Sequence, residues 1–318
     1  MAKIFYSICS ILVVLLYIDN ANAQTWQPSP GHTQIPIWPP GKMPDPLPDT
    51  KMESMEIVTQ SLVAGKPRIN LSDVSKPTIT IYSPKSKNTG AAVVVFPGGG
   101  FNGLAIDLEG TEICDWLTGS GITCVLLKYR VPDSGPAWHN DCNCNIEPRA
   151  PTALEDAQRT LGLVRLNAKK WHINPHKIGV IGFSAGGYMV ADISSHFKNR
   201  IYSPIDSADK ESCRPDFAIA LYPGHMRNRA REFKLNPDIN FTKETPPTFL
   251  LQAGNDPVDD IDNSLIYYIS LKKVGVPTEM HIYARGGHGF GLRRTDFVIT
   301  RWQPLVETWL KSIRMISK

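Results

Sequence analysis

Basic residues are nowhere concentrated in this chain. Lys+Arg number 34 against 30 Asp+Glu, the formal net charge is +4, and no Lys/Arg run exceeds a pair. Without a basic stripe to neutralise phosphates, the sequence does not point to nucleic acid as a partner. Cysteine is scarce: there are 6, and Cys9 lies in an apolar leader. Cys114, Cys124, Cys142, Cys144 and Cys213 remain. No His/Cys cluster at zinc spacing accompanies Cys142 and Cys144, so neither a metal nor another cofactor is expected. In an oxidising compartment one pair is expected, Cys213 with Cys142 or Cys144, leaving Cys114 and Cys124 as buried small hydrophobes. Internal repeats are missing, and so is a second core of comparable size.

Long apolar runs are missing after the N-terminus. There, Lys3 precedes an apolar stretch from Ile4 to Ile18, and Ala21-Asn22-Ala23 supplies a small-x-small pattern. This predicts a signal peptide over residues 1–23, a secreted or periplasmic location, and no membrane span once the leader is cleaved. Residues 24–50 are dense in proline ("PSPGHTQIPIWPPGKMPDPLPD"). Proline fixes φ and removes a donor, so this segment is expected to run extended over the surface, packed by Trp26 and Trp38.

Residues 51–318 are expected to form one domain. Ser54 to Thr59 and Pro77 to Tyr82 alternate β-branched residues and read as leading antiparallel strands. "AAVVVFPGGG", "GITCVLLKYR", "HKIGVIGFS", "DFAIALYPG" and "PTFLLQAG" are instead nearly continuous apolar runs ending in turn residues, as strands buried on both faces are. Helical segments separate them: Glu109 to Thr118, Ala153 to Lys169, Ala185 to His196 and Asp262 to Lys273. "PTEMHIYA" precedes a last helix from Arg301 to Ile313. The alternation predicts an α/β fold: a mostly parallel central sheet with helices on both faces. Two stretches break the rhythm, Pro132 to Pro151 and Pro223 to Pro247. Both emerge at strand ends, where ligands bind in such sheets. Phe101, Trp138, His139, His225 and Arg227 are the candidate substrate contacts.

Gly182-Phe183-Ser184-Ala185-Gly186 has the form G-x-S-x-G between a strand and a helix, the context of a nucleophile elbow. A serine hydroxyl needs a base. His288, among Gly286, Gly287 and Gly289 after the last strand, is the candidate; Asp256, soonest after its strand, is the candidate acid. Asp259 and Asp260 are expected to begin the next helix, where acidic side chains favour the dipole. Gly98-Gly99-Gly100 closes an apolar strand, and the N–H groups of Gly99, Gly100 and Ala185 are the candidate oxyanion donors. The glycine run lacks the Lys-Ser/Thr of a P-loop. The order Ser184, Asp256, His288 is that of the α/β-hydrolases.

At "FPGGGF", "GFSAGG", "PTFLLQAGNDPVDDIDNSL" and "GVPTEMHIYARGGHGFGLR" the chain resembles serine esterases of the α/β-hydrolase superfamily, in the branch of the bifunctional feruloyl and acetylxylan esterases and other acetyl-esterase/lipase-like proteins. The resemblance spans about Thr78 to Ile313. It implies an α/β-hydrolase fold, with Ser184, Asp256 and His288 matching nucleophile, acid and base, and Gly99, Gly100 and Ala185 matching the oxyanion donors. Two departures are Asp259-Asp260, where many relatives have Val-Pro, and Pro97, where lipases of the HGGG type have histidine. The implied activity is hydrolysis of carboxylic esters, small or polysaccharide, with acetyl or feruloyl groups on plant polysaccharide as the implied substrates. Two alternatives are a serine peptidase acting on small peptides and a non-catalytic secreted binding protein on the same scaffold. Oligomeric state is not legible.

Overall fold

The computed structural model describes residues 25–47, 51–85, 87–132, 150–228 and 233–317, with the backbone of Ala137–His139 and Cys144–Ile146. The expected signal peptide, Cys142 and the side chain of Cys144 lie outside the described residues.

The strands are β1 (Ile35–Pro36), β2 (Ser54–Val63), β3 (Lys66–Ser72), β4 (Thr78–Tyr82), β5 (Ala92–Phe96), β6 (Gly103–Ala105), β7 (Thr123–Lys128), β8 (Ala137–His139), β9 (Cys144–Ile146), β10 (Ile178–Phe183), β11 (Ala218–Leu221), β12 (Thr248–Ala253) and β13 (Thr278–Tyr283). The α-helices are α1 (Glu112–Gly119), α2 (Pro151–Leu166), α3 (Ala185–Ser195), α4 (Asp262–Lys273) and α5 (Gln303–Ser312). A π-helical turn at Asp107–Thr111 leads into α1, so the segment expected to begin at Glu109 enters its α-helix three residues later.

Eight strands form the central sheet, in the order β1-β4-β7-β5-β10-β11-β12-β13. β1, β4 and β7 pair antiparallel; from β7 to β13 all neighbours are parallel. β5, β7, β10, β11 and β12 are buried along their whole length, which is why they read as unbroken apolar runs. The parallel strands deliver six consecutive carboxyl ends to one edge, those of β7, β5, β10, β11, β12 and β13. Every residue of the site described below leaves one of these ends or packs beneath one.

A second, three-stranded sheet joins β2, β3 and β6. β3 is an addition to the sequence reading: "KPRINLS" is too polar to announce a strand, and it forms by pairing back on β2. Within the Pro132 to Pro151 stretch, β8 and β9 pair antiparallel, so that stretch is more than a loop.

The proline-rich segment is fixed to the body by buried groups. Ile35 and Pro36 pair with Ile79 and Thr78 at the sheet edge. Trp26 and Trp38 are buried, and Trp38 Nε1 donates to Asp156 Oδ1 at 2.7 Å. Asp156 also receives Arg130 through Nε at 3.0 Å and Nη2 at 2.9 Å. Arg159 Nε donates to the Ile37 carbonyl at 2.9 Å. A buried ion pair is tolerable only when its remaining hydrogen-bonding groups are satisfied, and here the strap supplies part of that satisfaction.

The expected cysteine pairing is corrected. Cys114 of α1 and Cys124 of β7 form a disulfide, and Cys213 is a buried thiol 3.3 Å from the Phe197 carbonyl. Helix and following strand come together in the α/β unit, which places two cysteines ten residues apart side by side.

Candidate active site

The Ser184 elbow follows from crowding. Ser184 has φ 53° and ψ −118°, a left-handed conformation that costs about 1–3 kcal/mol for a residue with a side chain. A Cβ on Gly182 would lie 2.0 Å from the Gly186 carbonyl oxygen, and one on Gly186 would lie 2.0 Å from the Phe96 carbonyl oxygen. Only glycine fits at either position. The backbone is held by Ser184 N–H donating to Leu221 O at 3.1 Å and by Gly224 N–H donating to Ser184 O at 3.3 Å.

His288 and Asp256 come together across two loops. His288 Nδ1 and Asp256 Oδ2 are 2.8 Å apart, with the Asp256 side chain fully buried. Asp256 Oδ1 accepts the N–H groups of Val258 at 2.8 Å and Asp259 at 3.0 Å. Its neighbour Asn255 accepts Gly286 N–H at 2.8 Å and Gly287 N–H at 3.1 Å through Oδ1. The β12 loop therefore grips both the imidazole and the backbone that carries it. Burial favours the neutral ring, but the hydrogen bond and charge of Asp256, followed by the charge of Asp259, outweigh it and hold the His288 pKa above its ordinary value.

The glycine loop is shaped for close approach. Gly99 has φ 139° and Gly100 has φ 63°, and both are exposed. A Cβ on Gly99 would lie 2.1 Å from the Gly103 carbonyl oxygen. Among the described residues no acceptor takes the N–H of Gly99, Gly100 or Ala185. Gly98 N–H, by contrast, is consumed by Glu109 Oε2 at 2.8 Å.

Three neighbours of the site escape a reading of the sequence. Glu109 is buried under the glycine loop and accepts the Tyr222 hydroxyl at 2.8 Å; that hydroxyl in turn accepts Gly291 N–H at 3.2 Å. Burial pushes the Glu109 carboxyl above its ordinary value, while the bonds from Tyr222 and Gly98 pull the other way. Tyr222 packs edge-on against the His288 ring at 4.9 Å. The third is Asp259. It does not begin the helix, a place taken by Asp262, with Asp260 Oδ1 accepting Asp262 N–H at 2.8 Å. Asp259 turns inward: Oδ2 accepts the Ser184 hydroxyl at 3.2 Å and lies 3.8 Å from His288 Nε2. The only trace of this in the sequence is the Asp259-Asp260 departure from Val-Pro.

The candidate substrate contacts divide. Phe101 is buried at φ 58°, its ring 6.0 Å from Tyr188 and 6.2 Å from His225. His225 is half-buried on the segment after β11, next to Gly224 and hence to Ser184 O. Arg227 faces Asp262 at 3.2 Å and is tied up in that ion pair. The side chains of Trp138 and His139 lie outside the described residues. Among the described residues no group of three or more His, Cys, Asp or Glu side chains is arranged to hold a metal ion, and no helix is long and apolar enough to cross a membrane.

The chain is 29% identical over 287 residues to an acetylxylan esterase of Xylanibacter ruminicola, covering 83% of this chain and 54% of that protein. It is 27% identical over 222 residues to endo-1,4-beta-xylanase B of Butyrivibrio fibrisolvens, covering 64% of this chain and 33% of that one. It thus spans about half the length of the first of these relatives and a third of the second. The crystal structure of an acetyl ester-xyloside bifunctional hydrolase from Caldicellulosiruptor lactoaceticus superimposes with a TM-score of 0.69 at 29% identity, covering 90% of this chain and 97% of that one. The sequence profile of the Prolyl oligopeptidase family matches residues 114–313, from the disulfide in α1 through the elbow, the His288–Asp256 pair and α5, and the chain belongs to that family of α/β-hydrolases.

Proposed function

We propose that this protein is a serine carboxylic-ester hydrolase that removes acetyl groups from plant polysaccharide of the xylan type, with feruloyl groups as further substrates, and that it works outside the cytoplasm. The observation that carries the reading is the His288–Asp256 pair at 2.8 Å, gripped by one loop beside a serine on a left-handed elbow. The acetylxylan esterase and acetyl ester-xyloside hydrolase likenesses supply the substrate class. The leader-like sequence and the Cys114–Cys124 disulfide support secretion, since disulfides persist in oxidising compartments.

In this mechanism Asp256 fixes His288 with its proton on Nδ1, leaving Nε2 to accept the Ser184 proton. Ser184 Oγ attacks the ester carbonyl. The N–H groups of Gly99, Gly100 and Ala185 receive the oxyanion, each such donor contributing about 2.7–4 kcal/mol to lowering the barrier. His288 then passes the proton to the departing alcohol, and water resolves the acyl-enzyme by the same route.

The test is purified protein assayed on p-nitrophenyl acetate, acetylated xylan, methyl ferulate and a panel of short peptides. Hydrolysis of the esters and loss of turnover in Ser184→Ala at unchanged thermal stability are expected. Cleavage of the peptides in preference to the esters would move the assignment to a peptidase. Inertness towards all of them, with no fluorophosphonate labelling of Ser184, would leave a binding protein.

A further inference from the structure

Asp259 occupies a costly place. Its Oδ2 accepts the Ser184 hydroxyl at 3.2 Å, and a proton given to Asp259 is not at the same time given to His288 Nε2. The same oxygen lies 3.8 Å from Nε2, the atom that must hand a proton to the leaving group. A carboxylate here opposes the negative charge that develops on the oxyanion, while its charge favours the protonated His288 that forms alongside.

The site is nevertheless built to hold it. Asp259 is buried, and its own N–H is fixed on Asp256 Oδ1 at 3.0 Å. The chain opposite is Gly224, where a Cβ would lie 2.5 Å from Asp259 Oδ1. A side chain at 224 would therefore evict the carboxylate, and the gap lies on the segment whose N–H also bonds the Ser184 carbonyl.

A hydroxyl on the leaving alcohol can take the place of the Ser184 hydroxyl as a donor to this carboxylate. The leaving oxygen must sit at Nε2 to be protonated. A hydroxyl on the adjoining carbon of the alcohol then falls within reach of Asp259, whereas a simple aryl or alkyl alcohol brings no donor there. We propose that Asp259 reads the leaving alcohol: it accepts a hydrogen bond from a free hydroxyl on the carbon next to the ester-bearing one, and in doing so releases the Ser184 hydroxyl to His288. Asp259 is thus a specificity-determining residue for polyol esters, and the substrate itself completes the catalytic arrangement. This rests on the esterase reading above.

The experiment compares a methyl xyloside carrying one acetate beside a free hydroxyl with the same ester in which that hydroxyl is methylated, and uses p-nitrophenyl acetate to report the ester-cleaving step. Wild-type protein is expected to favour the free-hydroxyl ester in kcat/KM by about tenfold or more, the range of one hydrogen bond to a charged group. Asp259→Asn, almost unchanged in volume, and Asp259→Ala should collapse that preference. Asp260→Asn, one residue away and exposed, should keep it. A wild-type protein without the preference overturns the inference, as does a preference that survives in Asp259→Asn or is lost equally in Asp260→Asn. If wild-type protein cleaves none of the three esters, the esterase reading fails; if it cleaves them without discrimination, only the role of Asp259 does.

Discussion

The Tyr222 hydroxyl and Glu109 Oε1 lie 2.8 Å apart, both side chains sealed from solvent, and the pair joins the two loops that the chemistry needs. Glu109 holds the glycine loop through Gly98 N–H, and Tyr222 holds the histidine loop through Gly291 N–H. Replacing Tyr222 by Phe leaves a buried N–H and a buried carboxyl oxygen without this partner. A loss of about 1–3 kcal/mol in unfolding free energy is expected, read from urea denaturation, with ester turnover falling alongside.

The acid of the proposed triad is assigned by a second substitution. Asp256→Asn is expected to lower kcat on p-nitrophenyl acetate by about 10³–10⁴-fold, because the amide no longer fixes the imidazole with its proton on Nδ1. A smaller loss there than in Asp259→Asn on the same ester would transfer the role of acid to Asp259.

The pH profile has a definite sign. In the proposed mechanism His288 must be neutral to accept the Ser184 proton, and its pKa is held above the ordinary histidine value against the opposing effect of burial. Activity is therefore present above that raised pKa and lost as pH falls through it. The acidic limb of kcat/KM should lie above the ordinary histidine range of about 6.5. Asp259→Asn removes one of the charges that raise it and should move the limb to lower pH.

Two glycines to alanine give opposite outcomes. In Gly186→Ala the new methyl meets the Phe96 carbonyl oxygen at 2.0 Å, backbone of a fully buried strand that has nowhere to go. The variant is expected to lose about 3 kcal/mol or more, or to be insoluble. At Gly119 a methyl would find no heavy atom within 4 Å, and Gly119→Ala is expected to be neutral or slightly stabilising. Thermal melts of the two variants separate them.

Breaking the Cys114–Cys124 bond, by Cys124→Ala or by reductant, is expected to cost about 2–4 kcal/mol, since the link closes a short loop and constrains the unfolded chain. Equilibrium unfolding with and without reductant measures it.

What the sequence makes legible follows from which forces are local. β5, β7, β10, β11 and β12 are buried on both faces, so every position is apolar and the strands declare themselves. The glycines around Ser184 are demanded by contacts within the same strand–turn–helix unit, and a short motif captures them. Asp259 reads as a helix-end residue because an acidic side chain just before a helix usually serves that end; its inward turn depends on the gap at Gly224, on another strand's loop. Glu109 and Tyr222 are 113 positions apart, and neither shows in its own surroundings that it meets the other. The disulfide is hidden for a related reason: its cysteines sit on a helix and a strand whose adjacency is a product of the fold.

The strap ahead of the first long strand bears on where the protein can be shortened. Because Trp38 and the Ile37 carbonyl complete the hydrogen bonding of Asp156 and Arg159, trimming the proline-rich stretch past residue 38 strips partners from charges that the body keeps out of water. An expression boundary drawn at β2, where the sequence alone would start the hydrolase domain, would cut away a piece of the interior.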